Sequence, residues 1–343
     1  MSEFEPIDER IVISAFFDFM RKNGIYPRDN LTLITDGKIH RFSTQNDKHG
    51  GEAGAYFLHV DGCPNGGAMD YHIHSEMQKF KLDKDLIPRR PVMSREEYER
   101  MKADNERKKQ ENIKRQEEKY RLAAINAYAE FNSALPLAYP ESHSYLIHKN
   151  VHNFNSCDIK LRIKQKKADN DICNVGDLLI PILDAANDEF ISLINISENS
   201  PHKKFNYKNA RITGGCVQLI PDGLRDWFCF KTDNTIILPE INSDITYVCE
   251  GIATGYAFLE IIEHKYPVLC AGGCNNLIHV CKAWHERYPE MKIFIAADND
   301  DAGIAAAEKT KHEGYALNYT KPPVKNMDFN DWLNLLKGFN NHE

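Results

Sequence analysis

A chain of 343 residues is long enough for two ordinary domains. With 42% hydrophobic and 27% charged residues it is not a wholly disordered chain, and no run approaches the roughly 18 consecutive apolar residues of a membrane-spanning helix. A formal net charge of -7, from 43 Lys and Arg against 50 Asp and Glu, argues against coating of nucleic acid through overall charge but leaves room for a local basic groove.

Residues 1–92 read as a small α+β unit. Apolar residues at Ile11, Ile13, Phe16, Phe17 and Met20 keep near-helical spacing, and Gly24 follows the basic Arg21 and Lys22 as a stop signal. LTLIT and AYFLHV read as strands, separated by turn-rich DGK, KHGGEAG and CPNGGA. The opening MSEFEPIDER is too acidic for a secretory signal. The nine cysteines form no CxxC pair and read as buried thiols, so a cytoplasmic protein is expected. Cys63 with His72 and His74 fits no standard zinc spacing.

Residues 93–135 lack the composition of a core. Ser94 and Glu97 match a capping box, and the Glu, Lys, Arg and Gln that follow predict a long helical connector with a solvated face. Residues 136–243 return to short apolar runs broken by Asp, Asn, Gly and Pro, which predicts a mainly antiparallel β subdomain. It carries two basic clusters. Lys160, Arg162 and Lys164 lie in the first, and Lys203, Lys204, Lys208 and Arg211 in the second, interleaved with Phe205 and Tyr207. Cations alternating with rings suit a single strand of nucleic acid, because charged groups meet phosphates while rings stack bases.

Residues 244–343 alternate strand and helix, the pattern of a parallel α/β sheet. Glu250 and Gly251 follow the strand ITYVC, and Asp298, Asn299, Asp300 and Asp301 follow KIFIAA. Open α/β sheets place ligands at these carboxyl ends of strands. If the two strands are neighbours, three carboxylates converge, and a divalent cation offsets the cost of their repulsion. All-oxygen ligation points to Mg²⁺ or Mn²⁺. Asp298 and Asp300 would share one side of an extended segment, with Asn299 pointing elsewhere; Asp301 suits the plainer role of capping the next helix.

CEGIATGYAF with AADNDDAG resembles the TOPRIM domain of bacterial primases, topoisomerases and some nucleases, and the trailing MDFNDWL resembles the primases of phages, plasmids and other mobile elements. HSYLIHKNV and SPHKKFNYK are similar to segments of the primase core in that group. The resemblance implies a C-terminal TOPRIM parallel-sheet domain, preceded by the β-rich primase-core subdomain, the helical connector and the N-terminal accessory module. It implies a DNA primase that makes short primers on a single-stranded DNA template from nucleoside triphosphates. Glu250, Asp298 and Asp300 would then be catalytic and metal-linked, Asp328 a further metal-side residue, and the basic residues the template and nucleotide surface. No Gly-x-x-x-x-Gly-Lys-Ser/Thr loop is present, so a replicative helicase is expected as a separate partner. A TOPRIM nuclease and a noncatalytic DNA- or protein-binding module are the rival readings.

Overall fold

The computed structural model describes residues 7–47, 51–60, 64–74, 76–83, 86, 95–137, 142–151, 160–162, 166–168, 171–173, 175–200, 203–224, 230–232, 235–237 and 241–338. The chain divides into two compact units, 1–108 and 109–343.

In the first unit, helix α1 (Glu9–Lys22) is capped by Asp8, whose carboxylate accepts from the Arg10 amide at 2.9 Å. Strands β1 (His40–Phe42), β2 (Gly54–His59), β3 (Asn65–Asp70) and β4 (Gln78–Lys81) form an antiparallel sheet in that order. Val12, Phe16 and Met20 of α1 bury against Tyr56, Leu58, Ala68 and Phe80 of the sheet; of the expected stripe Phe16 and Met20 are buried, Ile13 and Phe17 are half-buried and Ile11 is exposed, so the buried face is turned toward Val12. Two local expectations fail. LTLIT forms no ladder; the Ile34 amide donates to the Tyr56 hydroxyl at 2.8 Å, and an isolated bridge joins Asp36 to His59. The expected turn at NGG is the start of β3. A Cβ at Gly66 would sit 2.6 Å from the Phe57 carbonyl oxygen, and one at Gly67 2.8 Å from the Phe57 ring, so these glycines mark close packing within a strand.

Helix α2 (Arg95–Ser133) is 39 residues long and exposed over most of its length, with Ala123, Ala127 and Phe131 buried near its end. Its expected cap Ser94 lies outside the described residues.

The second unit contains β5 (Leu135–Pro136), α3 (Ser144–His148), β6 (Lys160–Leu161), β7 (Lys166–Ala168), β8 (Asp171–Cys173), β9 (Leu178–Asp184), β10 (Phe190–Ile196), β11 (Lys204–Asn206) and β12 (Gly215–Leu219). The hairpin β13 (Phe230–Thr232) and β14 (Thr235–Ile237) follows. Then come β15 (Ile245–Cys249), α4 (Ile252–Ile261), β16 (Val268–Cys270), α5 (Cys274–Arg287), β17 (Lys292–Ala296), α6 (Asp301–His312), β18 (Asn318–Thr320) and α7 (Phe329–Leu336). Among the described residues, ten strands join in one sheet, with the path β11-β10-β9-β12-β16-β15-β17-β18 and β6 and β5 branching from β9.

β11, β10, β9 and β12 pair antiparallel; β16, β15, β17 and β18 pair parallel. The antiparallel pairing of β12 with β16 joins the halves, so the sheet runs without interruption across residues 243 and 244, where sequence alone suggests a boundary. One face is covered by α3, α4 and α7, through Tyr145, Leu146, Tyr256, Phe258 and Phe329. The other is covered by α5 and α6, through Leu277, Val280, Trp284 and Ala307. Leu179 and Leu193, alternating along their strands with Leu178 and Ile194, meet Ala127 and Phe131 of α2. No described helix is long and apolar enough to cross a membrane.

Candidate active site

β15 and β17 lie side by side, parallel, with Cys249 opposite Ala296. Glu250 and Asp298 therefore leave the sheet at the same rim, from neighbouring strands about 4.8 Å apart. β16, on the other side of β15 with Cys270 opposite Cys249, brings Gly272, Gly273 and Cys274 to that rim too. α4 approaches closely because Gly255 has no Cβ; one placed there would overlap the Cys270 sulfur.

Among the described residues, four helices begin at this rim. α4 and α5 start at Gly251 and Gly273, neither of which supplies a side-chain cap. α6 is capped by Asp300, whose Oδ1 accepts from the Gly303 amide at 2.6 Å, so the cap is Asp300 and not the expected Asp301. A Cβ at residue 303 would lie 2.7 Å from the Asp298 carbonyl oxygen, which accounts for the glycine in DNDDAG. α7 is capped by Asp328 in a reciprocal box with Asp331. Helix N-termini carry partial positive charge and unpaired N–H groups, so the rim favours anions.

The carboxylates feel one another. Burial pushes Glu250 above the ordinary range, helped by the charges of Asp300 and Asp328 and opposed by a hydrogen bond from the Cys274 amide. Burial, then the charges of Glu250, Asp328 and Asp300, raises Asp298 to about 7. Burial raises Asp328 as well, against the hydrogen bond from the Asp331 amide. Asp300 and Asp328 each spend an oxygen on a cap. Asp298 does not: its Oδ1 is buried without a hydrogen-bond partner.

Asn299 points away from this group, as expected, and acts as a clamp. Its side chain donates to the Pro322 carbonyl at 2.9 Å, its amide to Met327 at 3.0 Å, and its carbonyl accepts from Asn326 at 2.7 Å. The loop before α7 is thereby held against the Asp298–Asp300 turn. The Phe258 and Phe329 rings, 4.7 Å apart and edge-on, seat α7 on α4.

The basic residues separate into distinct environments. Lys204 is exposed and stands over the Tyr145 ring at 4.9 Å; partial desolvation there lowers its pKa, Lys149 lowers it further, and Asp328 opposes both. Lys149 is positioned by α7, because Asn330 donates to its carbonyl at 2.7 Å. Two cations thus face the Asp328 side of the carboxylate group. Lys203 and Lys208 are exposed. Lys160 lies over the Phe131 ring at 4.3 Å. Arg211 pairs with Asp184. Arg162 requires a correction: it is 6% exposed, 2.5 Å from Glu130 of α2 and 2.8 Å from Asn195, so it joins α2 to the sheet and is shut off from a phosphate backbone. Lys164 lies outside the described residues.

An unpaired buried carboxylate oxygen among other carboxylates, all hard oxygen donors, suits Mg²⁺ or Mn²⁺. Asp298, with Glu250, Asp300 and Asp328 around it, would hold such an ion. No group of three or more His, Cys, Asp or Glu among the described residues is close enough to do so as the side chains stand. The Gly272–Cys274 turn and Asn276 lie at the site although sequence alone does not single them out; Lys149 heads the first basic run of the sequence. Asn276 donates to the Ala271 and Gly215 carbonyls at 2.8 and 2.9 Å and accepts from the Gly214 amide at 2.9 Å, tying the end of β16 to the start of β12. The paired glycines of CAGGCNN, directly after a strand and before a helix, are the signal that would have found this turn.

No family model matches the chain. Over 267 residues it is 26% identical to DNA primase TraC of Escherichia coli, covering 78% of this chain and 21% of that protein. The chain thus spans about a fifth of the curated relative's length. Among solved structures it is similar to the primase fragment of the bacteriophage T7 primase-helicase protein, with 16% identity, 51% of this chain and 63% of that one, and a TM-score of 0.33. The DnaG primase catalytic domain bound to ssDNA gives 13% identity, 64% and 78% coverage and a TM-score of 0.37. The RNA polymerase domain of Mycobacterium tuberculosis primase DnaG gives 14%, 60% and 65%, and 0.31. At such scores these structural likenesses assign no residue a role; the sequence relationship to a DNA primase is weak and covers most of this chain.

Proposed function

We propose that this chain is a metal-dependent nucleotidyltransferase that synthesises short primers on single-stranded DNA, with a TOPRIM-type acidic rim as its catalytic centre. The observation that carries the reading is Asp298: a half-buried carboxylate with one buried, unpaired oxygen, surrounded by Glu250, Asp300 and Asp328 and by helix N-termini. The weak relationship to DNA primase TraC supports it.

In this reading Asp298 and Asp300, with Asp328, hold Mg²⁺ or Mn²⁺, which when bound supplies neutralisation of charge on the transferring phosphoryl and the leaving pyrophosphate. Lys204 and Lys149 orient the triphosphate of the incoming nucleotide from the Asp328 side. Glu250, whose raised pKa makes it a better proton acceptor than an ordinary carboxylate, takes the proton of the attacking 3′-hydroxyl. The exposed Lys203 and Lys208 meet template phosphates. The order 1–92, 93–135, 136–243 and 244–343 remains our reading of accessory module, connector, basic subdomain and catalytic domain, the last two sharing one sheet. A separate replicative helicase is the proposed partner.

The test is primer synthesis on single-stranded DNA with labelled NTPs and dNTPs, comparing the natural chain with Asp298→Ala. The expected outcome is product from the first and none from the second. Equal product from both rejects the assignment. Cation-dependent cutting of DNA without incorporation would establish the nuclease, and DNA binding without either reaction the noncatalytic module.

A further inference from the structure

At a distance from the acidic residues, the end of α2 and the start of β10 flank an open cavity of about 600 Å³, lined by Tyr120, Ile125, Tyr128, Phe190, Ile191 and Arg211 among others. The volume lies within the range of small-ligand sites. Its chemistry is specific. Three aromatic rings line it, and Tyr128 stands edge-on to Phe190 at 5.3 Å, a braced stacking wall. Arg211 enters with one nitrogen bound to Asp184, and a guanidinium has five N–H donors, so others remain for a phosphate. Rings beside an arginine are what bind a base and its backbone.

The cavity's position in the sheet adds a second argument. Phe190 pairs with Leu183 at the end of β9, Gly215 at the start of β12 pairs with Asp184, and Val217 pairs with Cys270 at the end of β16. The cavity and the carboxylates therefore share one rim of one sheet, four strand spacings apart from β10 to β15, roughly 19 Å. The linking segment is held: Asn276 fastens Gly214 and Gly215 to α5, whose first amide meets Glu250. At the ~3.4 Å per nucleotide of a stacked strand, about six nucleotides cover that distance.

We propose that the α2–β10 cavity binds an unpaired nucleobase, its phosphate on Arg211, and so forms a second nucleic-acid site on the rim that carries Glu250 and Asp298. The cavity's link to catalysis rests on the primer-synthesis reading; base binding itself does not. The experiment uses the full chain without divalent cation or nucleotide, and a 12-nucleotide single strand bearing one 5-iodouracil, moved position by position. Photocrosslinks to Tyr120, Tyr128 or Phe190 are expected, with roughly tenfold weaker binding in Tyr128→Ala, the loss of one stacked base, and near-natural binding in Tyr128→Trp. Parallel titrations with AMP and ATP distinguish a free nucleotide as the source of the base. Thermal melts of both variants separate impaired binding from impaired folding, and Asp298→Ala should crosslink as the natural chain does even where primer synthesis fails. Crosslinks confined to other segments, unchanged affinity in a folded Tyr128→Ala, or a concentration-dependent dimer that fills the cavity would each overturn the proposal.

Discussion

The two halves of the central sheet handle charge in opposite ways. In the antiparallel half, buried ionised groups come with partners: Asp188 has Arg287 at 2.8 Å and Gln218 at 2.5 Å, and Arg162 has Glu130 and Asn195. In the parallel half, Glu250, Asp298 and Asp328 are pushed up by burial and face other carboxylates. Buried charge is tolerated when compensated. Where compensation is internal, the group serves the fold; where like charges are gathered and one oxygen is left bare, the acid keeps a proton or, in the proposed function, takes a cation.

Removing the bare carboxylate should give the largest effect. Asp298→Asn is expected to lower primer synthesis roughly 10²- to 10³-fold, the scale of losing one preorganised electrostatic group. Without divalent cation the same variant should melt higher than the natural chain, because it removes a charge that its surroundings repel. The pH dependence has a definite sign. An acid at about 7 in the folded chain against 3.8 in the unfolded one keeps its proton longer when folded, so its contribution to stability falls as pH rises from about 4 to 7. Solvent screening of this half-buried group limits the effect to about 1–3 kcal/mol. Melts at pH 5 and pH 8 check it: the difference should shrink in Asp298→Asn, and Mn²⁺ at pH 8 should restore the loss in the natural chain. A melting temperature indifferent to both would mean that the two halves do not differ as argued.

The same comparison forecasts a structural phenotype for Arg162. Truncating one partner of a buried pair costs about 3–5 kcal/mol, so Arg162→Ala should lower the denaturation midpoint sharply while single-strand affinity of the folded fraction stays unchanged. A selective loss of affinity would return Arg162 to the binding surface. A smaller catalytic effect is expected of Lys204→Ala: about a tenfold rise in the KM for nucleotide, the scale of one charge-assisted hydrogen bond, with a lesser change in kcat. Steady-state kinetics at saturating template separates the two.

Much of the parallel half is legible in the chain. ITYVC and KIFIA are short, apolar and β-branched, and each is followed at once by acids and a helix, so neighbouring strands bring Glu250 and Asp298 together with no long-range information beyond their pairing. The fate of individual charges is not legible. Arg162 and Lys204 look alike as members of basic runs, but one is buried by a helix some thirty residues upstream and the other is drawn over Tyr145 by an edge strand. Nor does a glycine pair declare itself: Gly66 and Gly67 read as a turn but serve close packing inside β3, while the equally adjacent Gly272 and Gly273 form the turn into α5. Tertiary packing decides such cases, and local pattern does not contain it.

The exposed lysines should show the smallest effect, and it sharpens the contrast with Arg162. Lys203 and Lys208 stand in solvent, so a phosphate they meet gains only screened attraction. Replacing Lys203 by Gln should leave melting unchanged and weaken single-strand binding by about two- to threefold at moderate salt. The more telling readout is the slope of log affinity against log salt, which should fall by about 0.7 for each single-strand phosphate that is no longer neutralised. The double change Lys203→Gln with Lys208→Gln should then lower it by about 1.4, since the effects of separated surface charges add. An unchanged slope would remove both lysines from the template surface and leave Lys204 and Lys149 as the cations through which this half of the sheet serves the acidic rim.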